Sequence, residues 1–563
     1  MSILNKKYLI STVVVFFSIS IYCLWSSSEV KCISHPNTSY TYIIVGAGTA
    51  GCVLASRLSE NPHNRVLLIE AGGNFNMYAN IPSMFIFLQK SKYDWLYESV
   101  SQEWSSFGFK QKKQSLPRGR GLGGSGEMNC LIYSGVRKGT LNDNLIDFIR
   151  GSGCPHCNYL DHLIPPQNQS YVKCRPNFQF HVERSKTKLA DITKKAVREL
   201  RESSVTYHQV LSSIFKGERW STYRSHLLQA MGRPNLHILC NTEVSKILFE
   251  NENAVGLRYE GGTTIYSEKE IIISAGSINT PKLLLKSGIG SKTELDKMGI
   301  STTVNLPGVG LNLHDHLAMP LYVHIQAPLS VTVQKMLNLR EIFKYMMYKE
   351  GLYASSSVAG IVQSSRNYII VFGGATPETP FSTAANYLPQ TFKTLFPFSN
   401  SYSKEGVVIL VGCRKPKSRG FVKLNTDNEI NIDPQYFQNK DDINCIQEGI
   451  KLAFEIVNTA SFRNIGASIH LPELEQCNYT KSSHNEKYLE CIIRTCALTN
   501  YHQAGTCIMG KRNDRLSVVD NYFRVHNLKG LRIVDGSVIP KPLNNFPNTA
   551  VAVIAEYAAT LFT

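Results

Sequence analysis

Tyr40-Thr-Tyr-Ile-Ile-Val-Gly46-Ala-Gly48-Thr-Ala-Gly51 decides the fold. Residues 40–45 are a strand-length apolar run rich in β-branched side chains, and they lead straight into the glycines. A helical stretch through Leu54, Ala55 and Leu58 follows, then a second apolar strand, Arg65-Val-Leu-Leu-Ile69, ending at Glu70. Each glycine has a physical task in such a unit. Gly46 permits a tight turn, Gly48 lets backbone approach a pyrophosphate, and Gly51 lets helix and strand pack closely. The helix N-terminus then offers unpaired N–H groups to phosphate oxygens. Glu70 stands nineteen residues past Gly51, where a carboxylate accepts hydrogen bonds from ribose hydroxyls. No Arg neighbours Glu70 in sequence, which argues against a 2′-phosphorylated cofactor. The unit alone does not separate NAD from FAD.

Working outward, 563 residues exceed one ordinary core and predict two interlocked domains. The composition, 43% hydrophobic and 18% charged, excludes a disordered or low-complexity chain. Lys6 and Lys7 precede an uncharged run from Tyr8 to Trp25 and then Ser26, Ser27 and Ser28. This reads as a secretory signal over residues 1–28, with an uncleaved type II membrane anchor as the alternative. Sequons at Asn37, Asn168 and Asn478 agree with export and glycosylation. Of the 14 cysteines, Cys23 lies in the leader, so the remaining odd number leaves a free or intermolecular thiol. Cys154-Pro-His-Cys157 reads as a structural disulfide or two separate pairings rather than a zinc or redox motif. The net charge of +17 is spread out and accompanies no nucleic-acid motif, so no nucleic-acid partner is expected. Weak attraction to acidic glycans or a membrane surface is the remaining implication.

Five further segments carry a resemblance. Pro117-Arg-Gly-Arg-Gly-Leu-Gly-Gly124-Ser-Gly-Glu-Met-Asn129 resembles the flavin-contacting loop of the glucose-methanol-choline (GMC) oxidoreductases. Gly276-Ser-Ile-Asn-Thr-Pro281 through Gly290, and Leu306-Pro-Gly-Val-Gly310 through His316, are similar to that family's next landmarks. Tyr501-His502-Gln-Ala-Gly505-Thr506 resembles its catalytic segment, and Gly530-Leu-Arg-Ile-Val-Asp535-Gly-Ser537 its closing FAD segment. The matches run in family order from about Tyr40 to the C-terminus, nearest in style to the arthropod glucose-dehydrogenase-like branch.

The resemblance implies an α/β fold in which a Rossmann-like FAD-binding domain is interleaved with an α+β substrate domain of antiparallel sheet plus helices. The FAD domain would comprise residues 40–150, 217–317 and 491–563, and the substrate domain 151–216 and 318–490. Implied FAD contacts are Gly46, Gly48, Gly51, Glu70, Gly124, Asn129 and Thr549, with Val244 and Ala275 flanking adenine and Asp535 and Gly536 near the pyrophosphate or ribityl.

The implied chemistry removes a hydroxyl proton and a carbinol hydride from a small-molecule alcohol, with oxygen or quinone as final electron acceptor. Histidine suits the proton acceptor because its pKa, about 6.5, lies near working pH. His502 is that residue by position in the motif, and Asn548 the amide donor that steadies the developing alkoxide, unless it only caps the tail helix. His314-Asp315-His316 reads as a structural hydrogen-bonding cluster, and no metal is expected. Tyr345, Met346, Met347, Tyr348 and Tyr353 read as core or cavity lining. The loop departs from the family pattern at Glu127 and Cys130, which are bulkier and bear on the flavin environment. Two other functions stay open: a hydroxynitrile lyase, in which His502 deprotonates a cyanohydrin without redox, and an enzymatically silent binding protein.

Overall fold

The computed structural model describes residues 30–134, 171–175, 178–259, 261–374, 378–544 and 546–562. The leader, Cys154, Cys157 and Asn168 lie outside the described residues. Two seven-stranded sheets organise the rest.

The first is built on the opening unit. Strand Ser39–Val45 is buried along nearly its whole length, so it reads as a continuous apolar run rather than an alternating one. It pairs in parallel with Val66–Ile69 on one side and Thr264–Ile273 on the other. Leu236–Leu239 extends the sheet beyond Val66–Ile69, and Leu531–Ile533 pairs in parallel with Ile271–Ile273. Asn253–Tyr259 and Val244–Glu250 add antiparallel strands at the far side. Helices Thr49–Leu58 and Pro547–Ala559 pack on each other beside this sheet. The disulfide Cys32–Cys240 ties the segment ahead of the first strand to the end of Leu236–Leu239.

The second sheet is antiparallel. Its order is Ser468–His470, Leu317–His324, Gly406–Cys413, Asn367–Phe372, Val358–Gln363 and Thr206–His208, with Leu498–Thr499 pairing Leu317–Ala318. One face packs against helix Asp441–Val457, whose Ile443, Ile446, Ile450 and Ala453 are buried at helical spacing. The opposite face of this sheet looks toward the carboxyl ends of the first sheet's parallel strands. Ligands bind at such strand ends in open parallel sheets.

Cys413–Cys445 and Cys477–Cys491 are also bonded, while Cys52, Cys130, Cys496 and Cys507 are free thiols. Among the described residues no helix is long and apolar enough to cross a membrane.

Candidate active site

A cavity of about 1010 Å³ lies between the two sheets. Ligand sites commonly occupy 300–1,000 Å³, so this one is roomy enough for a dinucleotide and a second molecule. Gly46, Gly48, Glu70, Gly124, Asn129 and Val244 line it, as do Ala275, Asp535, Gly536, His502 and Asn548.

The cofactor half is shaped by the glycines. Gly46 has φ +95°, and a Cβ there would sit 2.6 Å from the carbonyl oxygen of Ser274. Gly51 does not touch the cavity: a Cβ on it would meet the carbonyl oxygen of Gly46 at 1.9 Å, so its work is the close approach of helix to turn. Gly48 faces open space, and no side chain caps the ten-residue helix that starts after it. Free N–H groups therefore point where a pyrophosphate would lie. Glu70 accepts hydrogen bonds from Ala47 N at 2.8 Å and Gly72 N at 3.0 Å, which aim its carboxylate at the cavity. Burial pushes Glu70 up to about 7, against the pull of those amides and of Arg120. Sequence neighbours give Glu70 no Arg, yet the fold brings Arg120 close from the flavin loop. Asp535 accepts from Gly276 N, Thr280 Oγ1 and Ser537 N, and so locks the turn after Leu531–Ile533 onto the helix that begins at Gly276. An uncapped helix end, space at Gly48 and an acidic strand end fit FAD.

Besides Gly51, which was expected to touch FAD, two placements differ from expectation. Thr549 is buried and does not line the cavity; its hydroxyl lies 3.4 Å from Ser134 N and accepts from it. Glu127 turns away from the cavity into the protein, where it accepts from the Ser221 hydroxyl and faces Arg219 and Arg224. Cys130, by contrast, lines the cavity.

Arg219 escaped the sequence reading. It is fully buried and donates to Ala79 O, Gly126 O, Asn129 O and Asn129 Oδ1. Four bonds at 2.7–3.0 Å fix the loop that carries Asn129. Burial lowers its pKa to about 10, while Glu127 resists the change. Nothing in a linear sequence marks an arginine ninety residues away as a loop clamp.

The catalytic half centres on Asp315. Its Oδ1 accepts from the backbone N–H of His316 and of His502. Its Oδ2 accepts from Tyr436 OH at 2.6 Å, Thr499 Oγ1 at 2.6 Å and Gln503 Nε2 at 2.5 Å. One buried carboxylate thus gathers the whole 499–503 turn. Tyr501 at φ +64° makes the bend that presents His502.

His502 and His316 meet through their Nδ1 atoms at 3.2 Å. The other nitrogen of His316 lies 3.2 Å from Arg414 O, a carbonyl that can only accept. In neutral His316, Nε2 carries the proton and Nδ1 accepts. His502 then donates from Nδ1, which leaves its Nε2 as a lone-pair acceptor. Burial lowers the pKa of His502 well below 6.5, and His316 and Arg118 push in the same direction. The ring is neutral at ordinary pH. Phe546 stands edge-on to it at 5.2 Å.

Asn548 accepts from Thr49 Oγ1 at 2.8 Å through Oδ1, which orients its NH2 as the remaining polar group. It does not cap the tail helix: Phe546 holds that position, without a side-chain bond. His314 donates from Nε2 to Ile539 O and packs beneath Gly505, and burial lowers its pKa to about 3. Of the Tyr345–Tyr353 group only Tyr353 lines the cavity; Met347 and Tyr348 are exposed.

A paired parallel sheet with a glycine turn, joined to an antiparallel sheet that delivers a histidine, defines a FAD-dependent oxidoreductase of the class acting on CH–OH donors. Comparison gives the family. GMC oxidoreductase sequences match residues 175–318 and 416–555, and an NAD(P)-binding Rossmann-like domain matches residues 44–80. The chain is 32% identical over 551 residues to "Neither inactivation nor afterpotential protein G" of Drosophila melanogaster, covering 93% of this chain and 90% of that protein. It is 32% identical to ecdysone oxidase of Bombyx mori over 93% of this chain and 81% of that one. Pyridoxine 4-oxidase from Mesorbium loti shares the fold with a TM-score of 0.70 at 23% identity, over 92% of this chain and 98% of that one. The protein belongs to the GMC oxidoreductase family.

Proposed function

We propose that the protein oxidises the carbinol carbon of an alcohol to a carbonyl, with His502 as the base that takes the hydroxyl proton. The observation that carries this reading is the pairing of His502 with His316, which leaves Nε2 of a neutral imidazole unprotonated in the wall of the cavity. FAD, when bound, accepts the hydride and its electron pair from the same carbon. Asn548 supports the step by offering an amide donor to the oxygen as it loses its proton, since its own carbonyl is already held by Thr49. Asp315 acts as a positioning residue, because it fixes the backbone on which His502 rides. Phe546 keeps water from one side of the imidazole.

The electrons then pass to oxygen or a quinone. Export is supported by three disulfides and by the exposure of Asn37 and Asn478, the two described sequons. The net charge of +17 supports association with an anionic surface, either acidic glycan or membrane.

Anaerobic titration of the flavin-loaded protein with alcohols tests the reading. Alcohol should bleach the flavin, and His502→Ala should slow bleaching by about a hundredfold or more. Bleaching by the variant at full speed removes His502 from the mechanism. Release of cyanide from cyanohydrins without bleaching selects the lyase reading instead, and failure to take up FAD selects the silent one.

A further inference from the structure

Beyond His502 the cavity changes character. The antiparallel sheet supplies its floor. Tyr368, Ile370 and Phe372 share one face of their strand, and Ile370 is in register with Leu410, which in turn faces Pro320. Phe372 is in register with Val408. Ile370, Phe372, Leu410, Val408 and Pro320 all line the cavity. Tyr368 marks the catalytic end: its ring lies 6.0 Å from His316, and its hydroxyl accepts from Asn500. From Tyr368 to Phe372 the strand rises about 14 Å. Phe392 and Phe396 add apolar wall.

Most polar side chains named in this half are spent inside the protein; Ser83 Oγ and Gln89 Oε1, which also line it, are without a partner. Tyr353 donates its hydroxyl to Met336 O and Tyr387 donates to Cys496 O, so both present ring faces. Thr332 accepts from Lys335 N, Ser356 shares its hydroxyl with Ser212, and Ser401 accepts from Lys404 N. Charge is absent too. Among the described lining residues the acids, lysines and arginine are Glu70, Arg118, Glu243, Lys282, Lys286 and Asp535, all on the side of the glycine turn and flavin loop. The mouth is also apolar, since Phe87, Leu337 and Tyr402 line the cavity while remaining 51%, 63% and 65% exposed.

A polyol entering such a chamber has more hydroxyls than the wall has open partners, and each one left unpaired costs about 1–3 kcal/mol. A quaternary ammonium alcohol would find ring faces but no carboxylate to neutralise it, and a small acid no cation. Apolar carbon is what the surface accepts.

We propose that the substrate is a lipophilic alcohol: one carbinol at His502 carried on an apolar body of about 14 Å. This rests on the oxidation reading above. A series of 1-alkanols from ethanol to dodecanol, with glucose and choline, tests it by anaerobic flavin bleaching. Displacement of diphenylhexatriene from the flavin-loaded protein by the same alcohols supplies a readout free of turnover. kcat/KM should rise about threefold to fourfold per methylene through about ten carbons, and glucose and choline should fall at least a hundredfold below decanol. Phe372→Asn should lower the decanol-to-butanol ratio about tenfold, and Leu410→Asn gives the same test if that variant does not fold. A flat series without displacement, or glucose or choline above decanol, overturns the substrate class while oxidation stands. Length-dependent displacement with no bleaching by any alcohol keeps the lipophilic chamber and overturns the oxidation reading.

Discussion

His502 draws its chemistry from a neighbour 186 residues earlier in the chain. His316 holds the Nδ1 proton of His502 because Arg414 O already takes the proton on its own Nε2. His316→Gln replaces an atom that can only accept with an amide that can turn either its oxygen or its NH2 to the imidazole, and so lets His502 populate both tautomers. We expect kcat to fall about tenfold, less than loss of the base itself would cost. A loss of packing alone would not move the pH profile, so the profile is the deciding readout. Burial holds the pKa of His502 below 6.5, and His316 contributes to that lowering. The wild-type base is therefore unprotonated through neutral pH, and kcat/KM should decline only in acid, below the ordinary histidine range. In His316→Gln the acid limb should move upward. An unchanged limb would reduce His316 to a packing residue. His502 was legible in sequence because its motif surrounds it. Its tautomer was not, since Asp315-His316 reads locally as a structural cluster and only the fold brings it to residue 502.

At the scale of elements, the helices Thr49–Leu58 and Pro547–Ala559 are joined by a buried ionic cluster. Arg57 donates from Nε and Nη2 to both oxygens of Glu556 at 2.8 Å, and His226 meets Oε1 of the same carboxylate at 2.8 Å. Burial raises the pKa of Glu556, but His226 and Arg57 outweigh it and bring the carboxyl down to about 2. A depressed acid stabilises the fold fully above its unfolded pKa, near 4.5, and the contribution is lost as pH falls toward 2. Glu556→Ala strips Arg57 of its bidentate partner and should cost about 3–5 kcal/mol, read by urea unfolding at pH 7. The deficit should shrink as the pH is lowered below 4.5. A constant deficit across that window would mean that the lost side-chain volume, not the charge, carries the effect. The elements themselves were largely legible: buried parallel strands announce themselves as unbroken apolar runs, as Ile271, Ile272 and Ile273 do. Tyr345 is buried as expected, but Met347 and Tyr348 misled for the converse reason. Apolar residues on a helix imply a buried face only where another element covers that face, and here none of the described ones covers Met347 or Tyr348.

The helix Leu339–Tyr348 carries the most exposed apolar side chains near the cavity mouth. Leu339, Phe343, Met347 and Tyr348 are 80%, 50%, 53% and 65% exposed, and Leu337 just before them is both exposed and part of the cavity wall. Monomeric proteins rarely leave such contiguous apolar surface to water unless it meets something. Exposed Arg340 and half-exposed Lys344 stand on the same helix, and the chain carries a net charge of +17. An apolar stripe flanked by cations is the composition of a helix lying in a membrane interface, and it adjoins the mouth through which a lipophilic substrate would pass. Of the two anionic surfaces proposed above, acidic glycan engages charge alone, whereas a bilayer engages both charge and apolar area. Cosedimentation with phosphatidylcholine vesicles, with and without phosphatidylserine, separates them. The protein should bind the anionic vesicles, and part of the binding should survive salt that abolishes retention on heparin, because screening weakens the charges but not the apolar contact. Replacing Leu339, Phe343 and Met347 by Ser should lower vesicle binding several-fold and leave heparin retention as it was. Equal loss of both, or binding of the triple variant to vesicles at wild-type strength, would show that charge alone holds the molecule to a surface and that the exposed helix serves another purpose.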